Sequence, residues 1–283
     1  METIVLALSD SVALNEVRCS ESSRAPGEEE QQPSFSLAVT VAGVYVQHVE
    51  GRALVGAPGV GLFMNPGDVY RTAHPAGCGD RTLELTFPPD TVEPFTIAGD
   101  VFPDAAVPIP PRTDLEIRGL ARSARRDDLT ALDLDVRVQR VIAPLVGRGD
   151  VASPTARSLG IVDRALEYLA WHFSEDADLP SVAHAVGCSP HHLSRLFHAA
   201  TGITLSGYRT ELRVRAALER IELGAADLSA VASDVGFFDQ AHMTKTFRRV
   251  LGRTPSNVRK GLGGSERDLT RTSRSRDRPG TTP

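Results

Sequence analysis

Two short stretches carry side chains suited to reading the edges of bases: His191, His192, Ser194 and Arg195 in one, Gln240, Ala241, His242 and Lys245 in the other. A guanidinium can give a bidentate pair to guanine O6 and N7, and such a pair discriminates by roughly 1–3 kcal/mol. Lysine is a point charge that reaches a guanine or a phosphate, and alanine offers only apolar contact.

The elements that position these residues form an internal repeat. Leu179-Pro-Ser-Val-Ala-His-Ala-Val-Gly187, then Leu193, Phe197 and Gly202, is echoed by Leu228-Ser-Ala-Val-Ala-Ser-Asp-Val-Gly236, then Met243, Phe247 and Gly252. The first pair of glycines is 49 residues apart and the later pairs are 50 apart, so one residue is inserted between Gly236 and Phe247, an offset that persists to Arg209 and Arg259. In each copy the apolar spacing predicts a helix, a tight turn and a second helix. Val182, Ala183 and Val186 fall at helical intervals, Gly187 turns the chain, and Ser189-Pro190 opens the next helix as cap and first-turn proline. In the second copy Ala232 and Gly236 repeat the small pair at the crossing, and Asp239 replaces Ser189 as the cap. This is the helix-turn-helix pattern, whose second helix lies in a major groove. Plain helical hairpins would show the same small residues. Two copies in matching register, joined by one helical segment from about Leu205 to Ile221, favour the DNA-binding reading.

On these residues the stretch from about Gly160 to Lys260 resembles the DNA-binding domain of the AraC/XylS transcriptional regulators. The resemblance rests on the two motifs, on Tyr208-Arg209 and Leu212-Arg213, on Asp234-Val-Gly-Phe237, and on Phe247-Arg-Arg249, Gly252-Arg-Thr-Pro255 and Arg259. It implies a seven-helix domain whose two recognition helices share one face and enter successive major-groove segments of one duplex. On a helix laid against that duplex, the resemblance implies Arg195 as the expected base reader, with the first stretch carrying more of the sequence preference than the second. It also implies a homodimer made through helices ahead of that domain, RNA polymerase as a partner, and activation as the commoner mode.

Charge is distributed as that reading requires. Residues 1–154 hold 13 Lys and Arg against 22 Asp and Glu, whereas residues 155–260 hold 13 against 11, so the acid is concentrated away from the expected DNA face. No run approaches the ~20 apolar residues of a membrane span, and Glu2 with no basic residue before Ile4-Val-Leu-Ala-Leu8 argues against a signal peptide. The three cysteines, Cys19, Cys78 and Cys188, lack metal spacing and suit a reducing cytoplasm.

The N-terminal half reads as strands: Ser36 to Val41, Val44 to His48, Ala53 to Gly56, Val60 to Met64, Val69 to Ala73 and Arg81 to Phe87, with Pro66-Gly67-Asp68 as a turn. By position and pattern it resembles, more loosely, the cupin-like sensor domain that precedes the DNA-binding domain in many AraC-type regulators, with Asn65 to Tyr70 and His74-Pro75 as the best points. Metal-binding cupins present a His-x-His pair with a carboxylate, and this half has only His48 and His74. With Cys78 and Asp80 these could form a mixed site only if the strands brought them together. The expectation is a metal-free, cofactor-free barrel that binds a small effector or a partner, with Tyr70 and His74 as lining residues. Cys78 could pair with Cys19, though two unpaired thiols are the simpler expectation.

Between the halves, Pro88 to Pro111 holds seven prolines and reads as an extended wrap. Helices follow at Leu115 to Ala124 and Leu132 to Val146. In the second, Leu134, Val138, Val141, Ile142 and Leu145 form a stripe that either packs on its own barrel or pairs with a second subunit. The expected fold class is thus multidomain α and β: a cupin-like sensor barrel over 1–112, interdomain helices over 113–147, a linker over 148–159, an all-α DNA-binding domain over 160–260 and a disordered tail over 261–283. The expected function is a sequence-specific, non-enzymatic transcriptional regulator modulated through its N-terminal domain. The alternatives are a cupin-type enzyme with a passive helical fusion and a ligand-independent DNA binder.

Overall fold

The structure is a computed structural model that describes residues 1–21, 23, 25–49, 52–74, 79–88, 106–146 and 156–263. Most of the expected linker, tail and proline-rich wrap lies outside the described residues, but residues 156–159 of that linker and 261–263 of that tail are helical.

Ten strands build the N-terminal half: β1 (Glu2–Leu8), β2 (Ala13–Cys19), β3 (Glu30–Gln31), β4 (Phe35–Ala42), β5 (Tyr45–Val49), β6 (Arg52–Gly56), β7 (Val60–Met64), β8 (Val69–Ala73), β9 (Asp80–Phe87) and β10 (Ala106–Pro108). They pair antiparallel into a six-stranded sheet ordered β1-β2-β9-β4-β7-β10 and a four-stranded sheet ordered β3-β8-β5-β6. The chain passes between the sheets where Ala57-Pro58-Gly59 separates β6 from β7. The sheets are hydrogen-bonded separately, so among the described residues the expected barrel is an open pair of sheets.

Alternation along the strands assigns the two faces of the larger sheet. Leu37, Val39 and Val41 of β4, Leu83, Leu85 and Phe87 of β9, and Leu14 of β2 pack against α1 (Pro111–Arg125) and α2 (Ala131–Val146). The stripe Leu134, Val138, Val141, Ile142 and Leu145 is buried in that same cluster. The chain therefore covers this stripe itself, and it is not a free dimerisation seam. The opposite face of these strands carries Asn15, Ser36, Thr40, Thr82, Glu84 and Thr86 and is polar. Burial pushes the Glu84 carboxyl up from the usual carboxylate range, with Ser36 opposing it.

Seven further helices follow: α3 (Ala156–His172), α4 (Leu179–Ala185), α5 (Pro190–Thr201), α6 (Leu205–Glu222), α7 (Leu228–Asp234), α8 (Gln240–Leu251) and α9 (Pro255–Gly263). The first motif, α4–α5, shares one continuous apolar cluster with the small sheet and with β7 of the larger one, in which Val44, Val46, Val55 and Leu62 meet Leu166, Leu169, Phe197 and Tyr208. The second motif, α7–α8, has a separate core of Val231, Ala232, Met243, Phe247 and Leu251. Among the described residues no helix is long and apolar enough to cross a membrane.

One carboxyl on α3 works against folding. Burial pushes Asp163 up to about 7, with Arg164 opposing the shift. The folded protein holds this proton more tightly than the unfolded chain does, so there is no penalty well below the ordinary value of 3.8. The penalty grows as pH rises from there to about 7 and is constant above. Asp163→Asn is expected to raise stability at pH 8 by on the order of 2 kcal/mol and to leave it nearly unchanged at pH 3.5. Thermal melts of both proteins across that range check it, and an equal gain at both ends would mean that charge is not the cause.

Candidate nucleic-acid interface

Each motif is fixed by caps that the sequence supplies twice. Asp178 accepts from Ser181 N at the start of α4, and Asp227 accepts from Ser229 N and Ala230 N at the start of α7. Ser189 accepts from His192 N at 3.3 Å and Asp239 accepts from His242 N at 2.7 Å, opening the two recognition helices. Both helices end on left-handed glycines, Gly202 and Gly252. Arg209 donates to the Ala177 carbonyl and Arg259 to the Ala226 carbonyl, so the paired arginines of the repeat each tie the chain just ahead of their motif.

The turns locate the inserted residue. Cys188 N donates to Ala183 O and Phe237 N donates to Ala232 O, which makes Cys188 and Phe237 equivalent. Phe238 is therefore the extra residue. It is 91% exposed directly before the cap Asp239. The repeat offset showed that an insertion existed, and its place had to come from the turn geometry.

Leu193 and Phe197 of α5, and Met243 and Phe247 of α8, are fully buried, which turns the opposite faces outward. His191, Ser194 and Arg195 are exposed on α5, with His192 half-buried beside them. On α8, Gln240, Ala241, His242 and Lys245 are exposed, and the His242 ring meets Phe237 edge to face at 5.4 Å. Gln240, Ala241 and Lys245 line one open groove together with Thr244, Arg248 and Arg249. Thr244, half-buried between Met243 and Lys245, was not among the residues expected from the sequence.

The two residues expected to line an effector site part company. The Tyr70 hydroxyl donates to Glu30 at 3.3 Å, and burial first, then the Glu30 charge, raises its pKa. His74, at the other end of β8, is buried with Nε2 2.8 Å from Asp80 Oδ1. His48 is exposed on β5 and does not join them, and Cys78 lies outside the described residues.

Charged side chains attach the helical half to the sheets. Arg215 of α6 is buried, with Nε 3.2 Å from Asp114 Oδ2, Nη1 donating to Glu211 and Nη2 donating to the Ile109 carbonyl at 2.6 Å. Arg118 of α1 pairs with Asp114 and Glu222, Arg122 with Glu222, and Arg81 of β9 with Glu219. Burial lowers the pKa of Arg118, but Asp114, Glu222 and Glu219 outweigh it and raise the net value. Burial likewise works to raise Glu16, and Arg125 and Arg18 hold it below the usual carboxylate range. Tyr208 adds a hydrogen bond from its hydroxyl to the Pro58 carbonyl at 2.9 Å.

Two capped helix-turn-helix units joined by α6, each turning a polar and basic face to solvent, define the helical half as a DNA-binding domain of the double helix-turn-helix class. Residues 182–261 match the family model described as a helix-turn-helix domain. Over this domain the chain is similar to AraC-type transcriptional regulators. The arabinose operon regulatory protein of Escherichia coli (strain K12) is 30% identical over 109 residues, 38% of this chain and 37% of that protein. Regulatory protein SoxS of Salmonella typhimurium is 28% identical over 102 residues, 36% of this chain and 95% of that protein. A crystal structure of ToxT from Vibrio cholerae with bound unsaturated fatty acid aligns over 90% of this chain and 97% of that one, at 9% identity and a TM-score of 0.38. The chain spans a little over a third of the length of the first curated relatives it matches.

Proposed function

We propose that the protein is a non-enzymatic, sequence-specific transcriptional regulator, acting in the cytoplasm as an activator that contacts RNA polymerase, with its N-terminal half as the sensor. The observation that carries this reading is the pair of outward-facing recognition helices, α5 with Arg195 and α8 with Lys245, held on one connecting helix. His191, His192, Ser194, Gln240, Ala241 and His242 complete the DNA face. The sensor half ends at about residue 112, α1 and α2 bridge it to the DNA-binding domain, and that domain begins near residue 160. An effector shifts the balance between arrangements of the two halves only by binding one of them better. The polar inner face around Ser36, Thr40 and Glu84, with Tyr70 alongside and His74 at the rim, is the surface suited to it. In a homodimer the second copy docks on the outer side of α2, where Leu132 and Val136 are exposed, because the inner stripe is already covered.

Salt-dependent anisotropy titrations on duplexes from upstream of its own and neighbouring genes test the reading. Saturable binding to one duplex at ~0.15 M salt, with scrambled controls far weaker, is expected. Arg195→Ala should weaken that binding by roughly 1–3 kcal/mol and relax preference at one base pair, while Lys245→Ala weakens all duplexes more evenly and lowers the salt slope by about 1. An unchanged profile for Arg195→Ala would remove it from the base-reading set.

A further inference from the structure

We propose that Cys19, His74 and Asp80 bind a divalent cation with the coordination chemistry of zinc at one rim of the inner face of the sheets. Cys19 ends β2 and Asp80 begins β9, and the two are register partners in the antiparallel pair. His74 directly follows β8. One donor atom from each residue, the Cys19 sulfur among them, falls within 4.8 Å of the others. Thr82 Oγ1 donates to Asp80 Oδ2 at 2.9 Å, which fixes the carboxylate while Oδ1 faces His74. A Cβ on Gly79 would stand 1.7 Å from the Cys19 carbonyl oxygen. Only glycine lets the chain close against the end of β2 and bring Asp80 beside the sulfur.

The donor set is thiolate, imidazole and carboxylate, whose two negative charges balance a dication in a largely buried place. Zinc bonds of about 2.3 Å to sulfur and about 2.0–2.2 Å to nitrogen and oxygen put tetrahedral donors about 3.2–3.7 Å apart. The sulfur therefore moves in by up to about 1.6 Å on binding, and His74 Nε2 and Asp80 Oδ1, now 2.8 Å apart, open by about half an ångström. Coordination through Nε2 replaces its contact with Asp80 by the metal bond while the neutral imidazole keeps its one proton on Nδ1, and any proton on the sulfur leaves to solvent. Three protein ligands leave a fourth position for water. The set contains no His-x-His pair, so it differs from the cupin pattern. A His–Asp contact alone would close the strand end equally well, and the cysteine beside it is what makes the cluster a ligand set.

The test uses the full chain, reduced and treated with chelator, titrated with Co²⁺ alone and followed by absorption. One equivalent should bind with a thiolate-to-cobalt charge-transfer band and the intense visible bands of a tetrahedral ion, and one equivalent of Zn²⁺ should bleach both. The exposed histidines of the recognition helices can bind cobalt but cannot produce the thiolate band. Cys19→Ser should abolish that band, and Cys188→Ser should keep it. His74→Gln should weaken cobalt binding at least tenfold, and it decides the matter if Cys19→Ser fails to fold, as judged by melts without metal. Absence of the band in the unsubstituted protein, or a band that survives Cys19→Ser or vanishes only with Cys188→Ser, overturns the site.

Discussion

Arg215→Met is expected to destabilise the protein by about 3–5 kcal/mol, the cost of leaving a buried ionic cluster incomplete. The guanidinium donates to Glu211 and to the Ile109 carbonyl and forms an ion pair with Asp114, and Ile109 belongs to the strap between β10 and α1. Methionine keeps the length of the side chain and supplies no donor. The Ile109 oxygen then loses its partner where water has poor access, and Asp114 keeps only Arg118. Urea denaturation of the substituted and unsubstituted proteins reads the effect directly. A loss under about 1 kcal/mol would mean that water replaces the guanidinium, and that the two halves are held by their shared apolar cluster and the remaining ion pairs.

Gly236→Ala should cost roughly 2–5 kcal/mol, from a positive φ that a side chain resists and from overpacking. Gly236 has φ of 84°, and a Cβ there would lie 2.3 Å from the Ser174 carbonyl oxygen and 2.8 Å from Ser174 Cα. Backbone cannot swing aside as a side chain can. Gly187, its equivalent in the first motif, has φ of 73° and open space around the same position. Gly187→Ala should therefore cost only about 1–2 kcal/mol. Comparing the two melts separates strain from collision, and equal losses would show that the contact with Ser174 yields.

The repeat made the DNA-binding half legible because every determinant in it is local. Caps, turn glycines and the apolar stripe sit within a dozen residues of one another, and the connecting helix expected over Leu205 to Ile221 is observed over Leu205–Glu222, whereas α3 starts at Ala156, inside the expected linker. Strands β4 to β9 were equally readable from Val, Leu, Tyr and Thr runs cut by turns. Strands β1 and β2 were not. Ile4 to Leu8 lacks alternation, and β2 carries Glu16 on its buried face, a residue tolerated there because Arg18 of the same strand pairs with it and Arg81 and Arg125 reach it from elsewhere. The attachment of the two halves was hidden for the same reason: Arg118 and Arg215 look like surface charges on amphipathic helices until Asp114 and Glu222 arrive from 100 residues away. Cys19 could be placed beside His74 and Asp80 only by the β2–β9 register, which no local pattern encodes.

Helix α6 turns Glu211, Arg215, Glu219 and Glu222 toward the sheets and α1, and it is also the rod that sets the distance between the two recognition helices. A rearrangement of the N-terminal half that is felt through these side chains acts on the rod and leaves both reading faces chemically intact. Duplex DNA turns once in about 34–36 Å, so a small tilt of that rod changes the helical phase at which both faces can be seated together. Under the proposed function, spacing between half-sites, rather than the identity of any base, is the operator property expected to respond most to the state of the N-terminal half.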